Sequence, residues 1–488
     1  MRRILANLAL VLVSLGLSVG AAEIVAGWLE RGDAGPDAGS RHLDAIARAP
    51  GVERAWFAED PPPLPNRKPW PPEWDQLVRR VEISRQIEGS RRADMFKAWN
   101  AVLVGDPCAH RYLRFAPGRL FVYDPPDGVP YPAYRYLPDA TTPIGLVTNA
   151  FGFRGPPVQA ERRPNTLRIV FVGASTTVES HHFPFSPPEH VAHWLQRWAR
   201  ARAPGLEIEV LNAGRESINS TDIAAVVRNE VAPLRPDLVV YYEGANQFHL
   251  QSLVPGMPPF EAPPVPPPQP PPDLLERAAY SLALARRLQA WRDARSVPGD
   301  GREWPKASPE LVWPAGLDRA RPDLDRPDLP VKLPRILHDL DDIDRSVRAA
   351  GGELAIASFK WLVHEGLVLD PVRHRGMLQH LNDGYGPFAY RDLAELAAFQ
   401  NRVLALHARR RDLEFLDVAG AMPSDPALFI DGVHNTPAGL RLRAWILVQQ
   451  LVPLIEARLA SRAWPKTAHA PVAFPPFAAR VLEFACRP

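Results

Sequence analysis

The chain is expected to fold as an α/β domain built around a parallel sheet. Short β-rich apolar runs alternate with longer stretches of helical periodicity, the pattern of strands joined by crossover helices. The runs read as strands buried on both faces, as in a sheet covered by helices above and below. Three of them end directly in small-residue turns: Gly173-Ala174-Ser175-Thr176, Asn212-Ala213-Gly214 and Gly244-Ala245-Asn246. Open α/β sheets gather their chemistry at those carboxyl ends.

Taken in order, residues 1–30 form the first unit. Arg2 and Arg3 precede an uncharged run over 4–22, which at ~1.5 Å per residue spans about 28 Å, close to the ~30 Å hydrocarbon core. Two arginines ahead of the run favour a cytoplasmic N-terminus and export of the chain beyond it. The expectation is an N-terminal transmembrane helix that anchors the chain, with the remainder extracytoplasmic (periplasmic). The alternative is a signal peptide cut near Gly20-Ala21-Ala22, which leaves a secreted protein. Residues 31–145 read as an irregular Pro-rich region, because Pro61, Pro62, Pro63, Pro65, Pro69, Pro71 and Pro72 interrupt helix there. A helical pattern returns only over 73–101.

The regular pattern occupies 146–250 and 331–460. In the first part, strands are expected at 167–172, 208–211 and 238–242, with helices at 189–203 and 220–231. A Pro-rich insertion, 251–330, separates the two parts. Its run from Pro255 to Pro272 is polyproline II in character, and one amphipathic helix is expected at 274–292. In the second part, helices are expected at 335–350 and 390–410 and strands at 354–357 and 415–418. Pro437 then opens a last helix to about 459, as proline does in a first helical turn. Residues 461–488 form a C-terminal tail.

Composition narrows the function classes. Of 488 residues, 46% are hydrophobic and 23% charged, with a net charge of +2. No nucleic-acid footprint is present in that balance. The 56 prolines are about double the usual ~5% and place much of the chain outside regular elements. Cys108 and Cys486 are the only cysteines. In an exported protein they could pair and tie the tail to the region before the core, or stay as thiols; their spacing suits no metal.

Four clusters carry the chemistry. Ser175 lies just past a strand, where a turn exposes the hydroxyl and a helix N-terminus favours negative charge. Taken alone it is an ordinary helix cap. Gly214 can bring a backbone N–H close to a substrate, and the Asn246 amide can donate to an oxyanion. Alone, they are a turn glycine and a turn asparagine. Asp431 and His434 stand three apart before the last helix, a spacing that lets a carboxylate reach Nδ1 and leaves Nε2 for the serine. Jointly they compose an acyl-transfer site. Glu179 and His249 lie close enough to these loops to touch substrate. His181 and His182 match no common metal-ligand spacing. Phe359, Trp361 and His364 could shape the acyl or sugar site or simply pack the core.

This combination resembles the SGNH (GDSL-like) hydrolase family over roughly 146–250 and 331–460. The family quartet maps onto Ser175, Gly214, Asn246 and His434, with Asp431 completing the triad. Ala174 replaces the Asp usual before the serine, and Gln247 the Asp common after the asparagine. Neither replaced group is catalytic in the family. Asn149-Ala150-Phe151-Gly152-Phe153-Arg154-Gly155 is similar to the lead-in of many exported, membrane-anchored members. The resemblance implies a three-layer flavodoxin-like fold and a serine esterase with no metal and no cofactor. The oxyanion would be held by the N–H groups of Ser175 and Gly214 and by the Asn246 amide. The implied partners are an acyl-ester substrate, acetyl being the simplest, on an envelope glycan or lipid, and the membrane through the N-terminal helix. An O-acyltransferase with the same triad and a non-catalytic envelope scaffold remain as alternatives.

Overall fold

In the computed structural model of the chain, Arg2–Asp33 is one 32-residue helix, α1. The structure describes residues 2–33, 38–68, 120–123, 135–136, 138–141, 146–179, 185–248, 253–254, 273–279, 281–294, 310–370, 374, 377–378, 380–381, 385, 389–466 and 479–482. The helix expected over 73–101, the polyproline run, Cys108, Cys486, His181, His182 and His249 lie outside them. The expected transmembrane helix is not shown: among the described residues no helix is long and apolar enough to cross a membrane. Within α1 the side chains of 2–6, 8, 9, 12 and 29–33 are not among those described.

After α1, two 3-10 turns, Ser40–Ala45 and Arg54–Ala58, carry Trp56 and Phe57 into the core. Strands β1 (Leu120–Tyr123) and β2 (Arg135–Tyr136) come next. The main sheet begins with β3, Thr166–Gly173, buried along its whole length. The chain continues through α2 (Ser175–Val178), α3 (Pro187–Arg202), β4 (Glu207–Asn212), α4 (Ser220–Val226) and β5 (Leu238–Tyr242). Among its described residues the insertion contributes two helices, α5 (Leu274–Ala279) and α6 (Ala283–Ala294), in place of the one expected over 274–292. The second part supplies α7 (Leu333–Ala349), β6 (Glu353–Ala357), α8 (Tyr390–Arg410), β7 (Glu414–Leu416), α9 (Val418–Ala421) and α10 (Pro437–Ala460). Last, β8 (Ala479–Leu482) pairs antiparallel with β1, so a strand ladder joins the tail to the region before the core.

The main sheet has the order β4-β3-β5-β6-β7 and every pairing is parallel. Numbered among themselves, its strands run 2-1-3-4-5, the flavodoxin-like arrangement, with the switch point between β3 and β5. Right-handed crossovers then fix the layers. The step from β3 to β4 runs one way along the sheet; the steps from β4 to β5, β6 and β7 run the other. Accordingly α3 packs with α10, while α4 packs with α7 and α7 with α8. On the α3–α10 face Trp194, Trp445 and Phe57 interlock. Trp194 and Trp445 meet edge-on at 5.2 Å, and the Trp194 Nε1–H donates to Trp56 O at 2.8 Å.

Two boundaries depart from the sequence expectation for local reasons. The helix expected over 220–231 is α-helical only to Val226 and then widens into a π turn, Val227–Val231. Pro233 offers no N–H to the carbonyl four residues back, and its ring crowds that group. The strand expected over 415–418 stops at Leu416 because Asp417 caps α9, accepting from Gly420 N–H at 3.0 Å.

Candidate active site

Everything at the site depends on how β3 turns into α2. A Cβ on Gly173 would fall 2.1 Å from Thr177 Oγ1 and 2.2 Å from Tyr242 O, so only glycine permits this turn. Ser175 is the first residue of α2, and its N–H therefore has no acceptor within the helix. The helix lasts one turn and ends at Glu179, whose φ of 49° lies in the left-handed region. A helix this short bonds only the first of its own carbonyls, Ser175 O. Glu179 N–H donates to Ser175 O at 2.8 Å. Arg443 Nη2 donates to Thr176 O at 2.5 Å and Asn212 Nδ2 to Thr177 O at 2.9 Å. Arg154 Nη1 donates to Val178 O at 3.0 Å and also to Glu179 O. Two guanidinium groups thus sit at the negative end of the turn.

Both arginines are buried and paired. Arg443, on α10, meets Glu179 Oε1 at 2.8 Å and lies over the Tyr242 ring at 4.8 Å. Arg154 pairs with Glu189 at 3.3 Å, and Glu189 closes the capping box with Ser186 at the start of α3. This corrects one expectation: Glu179 does not reach a substrate. It is wholly buried and directs its carboxylate inward onto Arg443. Burial raises its pKa, and Arg443 and His434 pull against that rise.

The structure brings Ser175, His434 and Asp431 together across 259 residues of sequence. His434 Nε2 is 2.8 Å from Ser175 Oγ, and His434 Nδ1 is 2.8 Å from Asp431 Oδ2. A tight loop before α10 makes this possible. Ile430 N–H donates to His434 O at 2.9 Å, and Asp431 Oδ1 accepts from the N–H groups of Val433 at 2.8 Å and His434 at 2.7 Å. One carboxylate oxygen therefore shapes the loop while the other holds the imidazole with its proton on Nδ1, leaving Nε2 to accept. Burial opposes charge on His434, but Asp431, Glu179 and Glu216 outweigh it and hold the pKa above the ordinary histidine value. Burial likewise opposes the Asp431 carboxylate. His380, His434 and the backbone N–H of His434 overcome that and keep Asp431 well below the usual carboxylate range.

Gly214 and Asn246 approach the same turn from the neighbouring strands. A Cβ on Gly214 would stand 2.7 Å from Val178 N and 3.0 Å from the Thr177 Cβ, so its backbone lies directly against α2. Its N–H donates to Asn212 Oδ1 at 3.1 Å. Asn246, after β5, is exposed. Its backbone N–H and that of Ala245 donate to the buried Glu243 Oε1 at 2.7 and 2.8 Å. Its Nδ2 donates one hydrogen to Ile218 O at 2.7 Å, and a primary amide carries a second.

Several residues here escaped sequence reasoning. Arg443 sits with Arg441 in the helical run Leu440 to Val448; Arg441 pairs with the exposed Asp60 and Arg443 with the buried Glu179, so the run alone does not name the buried one. Arg154 stands within the lead-in motif, which gives no sign of the carbonyls it bonds. Glu216 is buried beside Gly214, near enough for its charge to act on His434. His380 Nδ1 accepts from Gly432 N–H at 3.3 Å. Burial, then the Asp431 and Glu243 carboxylates, push the Tyr385 phenol up, and its ring meets that of His380 at 5.7 Å. Trp361 packs on Tyr385 at 5.1 Å and on Phe248 at 4.6 Å, and Phe359 stacks on Tyr242 at 5.0 Å. His364 bonds locally to Glu365 O at 2.7 Å. Among the described residues no group of three or more His, Cys, Asp or Glu side chains could hold a metal ion.

No protein-family model matches the chain, and no match was found among the curated proteins. Its structural neighbours are esterases and acylhydrolases. An acetylxylan esterase from Geobacillus stearothermophilus is 15% identical, with 58% of this chain and 94% of that chain covered and a TM-score of 0.32. A putative acylhydrolase from Bacteroides fragilis is 13% identical, covering 60% and 90% at a TM-score of 0.29. A GDSL-like lipase from Bacteroides thetaiotaomicron is 11% identical, covering 59% and 88% at a TM-score of 0.27.

Proposed function

We propose that the protein is a serine ester hydrolase of the SGNH type. The observation that carries this reading is the chain of two 2.8 Å contacts from Ser175 Oγ through His434 to Asp431. In the proposed mechanism His434 Nε2 takes the Ser175 proton as Oγ attacks the ester carbonyl. Asp431 holds the imidazole and stabilises its charged form. The Ser175 and Gly214 N–H groups and the Asn246 amide receive the oxyanion; for Gly214 this means exchanging its bond to Asn212 Oδ1 for the substrate. His434 then protonates the leaving alcohol. Water, activated by the same imidazole, releases the acyl group and restores the serine.

Acetyl esters on envelope glycan or lipid are the proposed substrates. The reason is the proposed address: α1 as a membrane anchor, with the catalytic part on the extracytoplasmic side. The uncharged run over 4–22 behind Arg2 and Arg3 supports it. Extraction of membranes at alkaline pH tests the anchor, and N-terminal sequencing of the mature protein tests cleavage near Ala22. For the chemistry, a fluorophosphonate should label the intact protein and not the Ser175→Ala variant. That variant should also lose hydrolysis of p-nitrophenyl acetate while melting like the parent. Full turnover in Ser175→Ala rules out the reading. Acetate release measured with and without a glycan acceptor separates hydrolysis from transfer.

A further inference from the structure

The hydrolase chemistry uses neither the apolar N-terminal helix nor the helices of the Pro-rich insertion, yet these two parts of the chain meet. Glu23, the first charge after the apolar run, faces the N-terminus of α6. Ala283 N–H donates to its Oε1 at 2.6 Å and Leu284 N–H to its Oε2 at 2.8 Å. The first turn of a helix leaves its N–H groups without internal acceptors and favours an anion, so this carboxylate accounts for where α6 starts. Small residues close the contact. Ala26 and Ala283 are buried, and a Cβ on Gly27 would stand 3.9 Å from the Ala283 Cβ. Ala279 and Ala285 then form an apolar cluster separate from the main core.

Large apolar side chains stand exposed on this assembly, beside the exposed Arg292–Asp273 pair and Arg277. On α1, Leu17 and Ile24 are each 71% exposed and Trp28 67%; on the insertion helices Leu274 is 79%, Leu288 47% and Trp291 51% exposed. We propose that α5 and α6 are a bilayer-docking platform, lying on the same membrane surface that receives α1. This rests on the proposed membrane anchor. Continuity with α1 decides the occupant. The platform is pinned at Glu23, directly beyond the stretch of hydrocarbon length, which is where the water–lipid boundary falls for an anchored helix. Tryptophan concentrates at that boundary; Trp28 follows Glu23 on α1 and Trp291 stands exposed on α6.

The consequence is orientation. A single helix lets a domain swivel; a second contact fixed to it does not. Docking would hold the catalytic part at a set height above envelope substrates.

The test uses the full chain with Cys108→Ser and Cys486→Ser, carrying one new cysteine at a time: Leu17→Cys, Leu288→Cys, Trp291→Cys, or Val312→Cys on the core. Each is labelled with nitrobenzoxadiazole and reconstituted in phosphatidylglycerol–phosphatidylethanolamine vesicles containing dibrominated phosphatidylcholine. Unchanged p-nitrophenyl acetate turnover reports an intact fold. Labels at 17, 288 and 291 should lose roughly half their fluorescence, those at 288 and 291 to bromines near the acyl–headgroup boundary about 5–10 Å deep. The label at 312 should lose none. Quenching at 17 without quenching at 288 and 291 overturns the platform and leaves the anchor standing. Quenching nowhere overturns the anchor reading, and the platform with it. A spectral shift at 288 and 291 that grows with protein concentration in lipid-free detergent assigns the surface to a second copy of the chain, which also overturns the proposal.

Discussion

Arg443 offers the most exacting check on how the nucleophile is held. It reaches from α10, the helix that begins just after His434, onto the turn that carries Ser175. It therefore links the two halves of the Ser175–His434 contact. Replacing it in Arg443→Met leaves Glu179 wholly buried without its cation, and breaking a buried pair from one side costs about 3–5 kcal/mol. At roughly 2 °C per kcal/mol for a chain of this size, melting should fall by about 6–10 °C. The deficit should depend on pH in a definite sense. Burial already raises the Glu179 pKa with Arg443 in place, and removing the cation raises it further. A carboxyl whose folded pKa is raised contributes stability below its unfolded pKa of ~4.3 and loses it as pH climbs through the folded value. The gap between parent and variant should thus widen from pH 5 to pH 8.

The double variant Glu179→Leu with Arg443→Met separates stability from positioning. Replacing both partners of a buried pair by apolar groups is often neutral, or stabilising by about 1–4 kcal/mol. Differential scanning fluorimetry should show melting restored. Turnover should not be restored, because Thr176 O still lacks its donor, and a displacement of about 1 Å at a nucleophile costs on the order of 100-fold. The expected signature is a low kcat with little change in KM and slow fluorophosphonate labelling. If kcat recovers along with the melting temperature, Arg443 only balances a buried charge and the positioning argument fails.

The same geometry makes three other outcomes measurable. His434 must be neutral to accept a proton, so acylation should rise with pH through a midpoint above the ordinary histidine value of ~6.5. Asp431→Asn should move that midpoint down, since the raising anion is gone, and should lower kcat by roughly 10⁴ through the wrong tautomer; an unmoved midpoint in a pH–rate profile contradicts the assignment. Asn246→Ala removes a proposed oxyanion donor from an exposed side chain, so kcat for p-nitrophenyl acetate should fall about 10²–10³-fold with KM nearly unchanged. Gly214→Ala sets a methyl 2.7 Å from Val178 N, and overpacking of this kind costs about 1–3 kcal/mol. Its melting temperature and its fluorophosphonate labelling rate should drop together.

The sheet is readable in the sequence because its signals are local. β5 is a continuous apolar run, β3 is one interrupted by Arg168, and the Gly173 turn ends the latter; α3 starts at Pro187, before the expected 189, because Ser186 and Glu189 cap it. Boundaries slip where a neighbour outside the pattern intervenes, as Asp417 does by ending β7 and as Glu23, 260 residues away, does by starting α6. Ser175, Asp431 and His434 are legible because each stands at an element's end, where side chains are free to meet. Arg443 and Glu179 are not, and the reason is physical. A one-turn helix exposes a serine well but bonds only its first carbonyl, so donors for the rest must come from elsewhere in the chain. Here they are Arg154 ahead of the sheet, Asn212 on β4 and Arg443 on the last helix. Nothing in the local sequence of any of the three names its acceptor, because the need for them arises only once β3, β4 and α10 have packed around the turn.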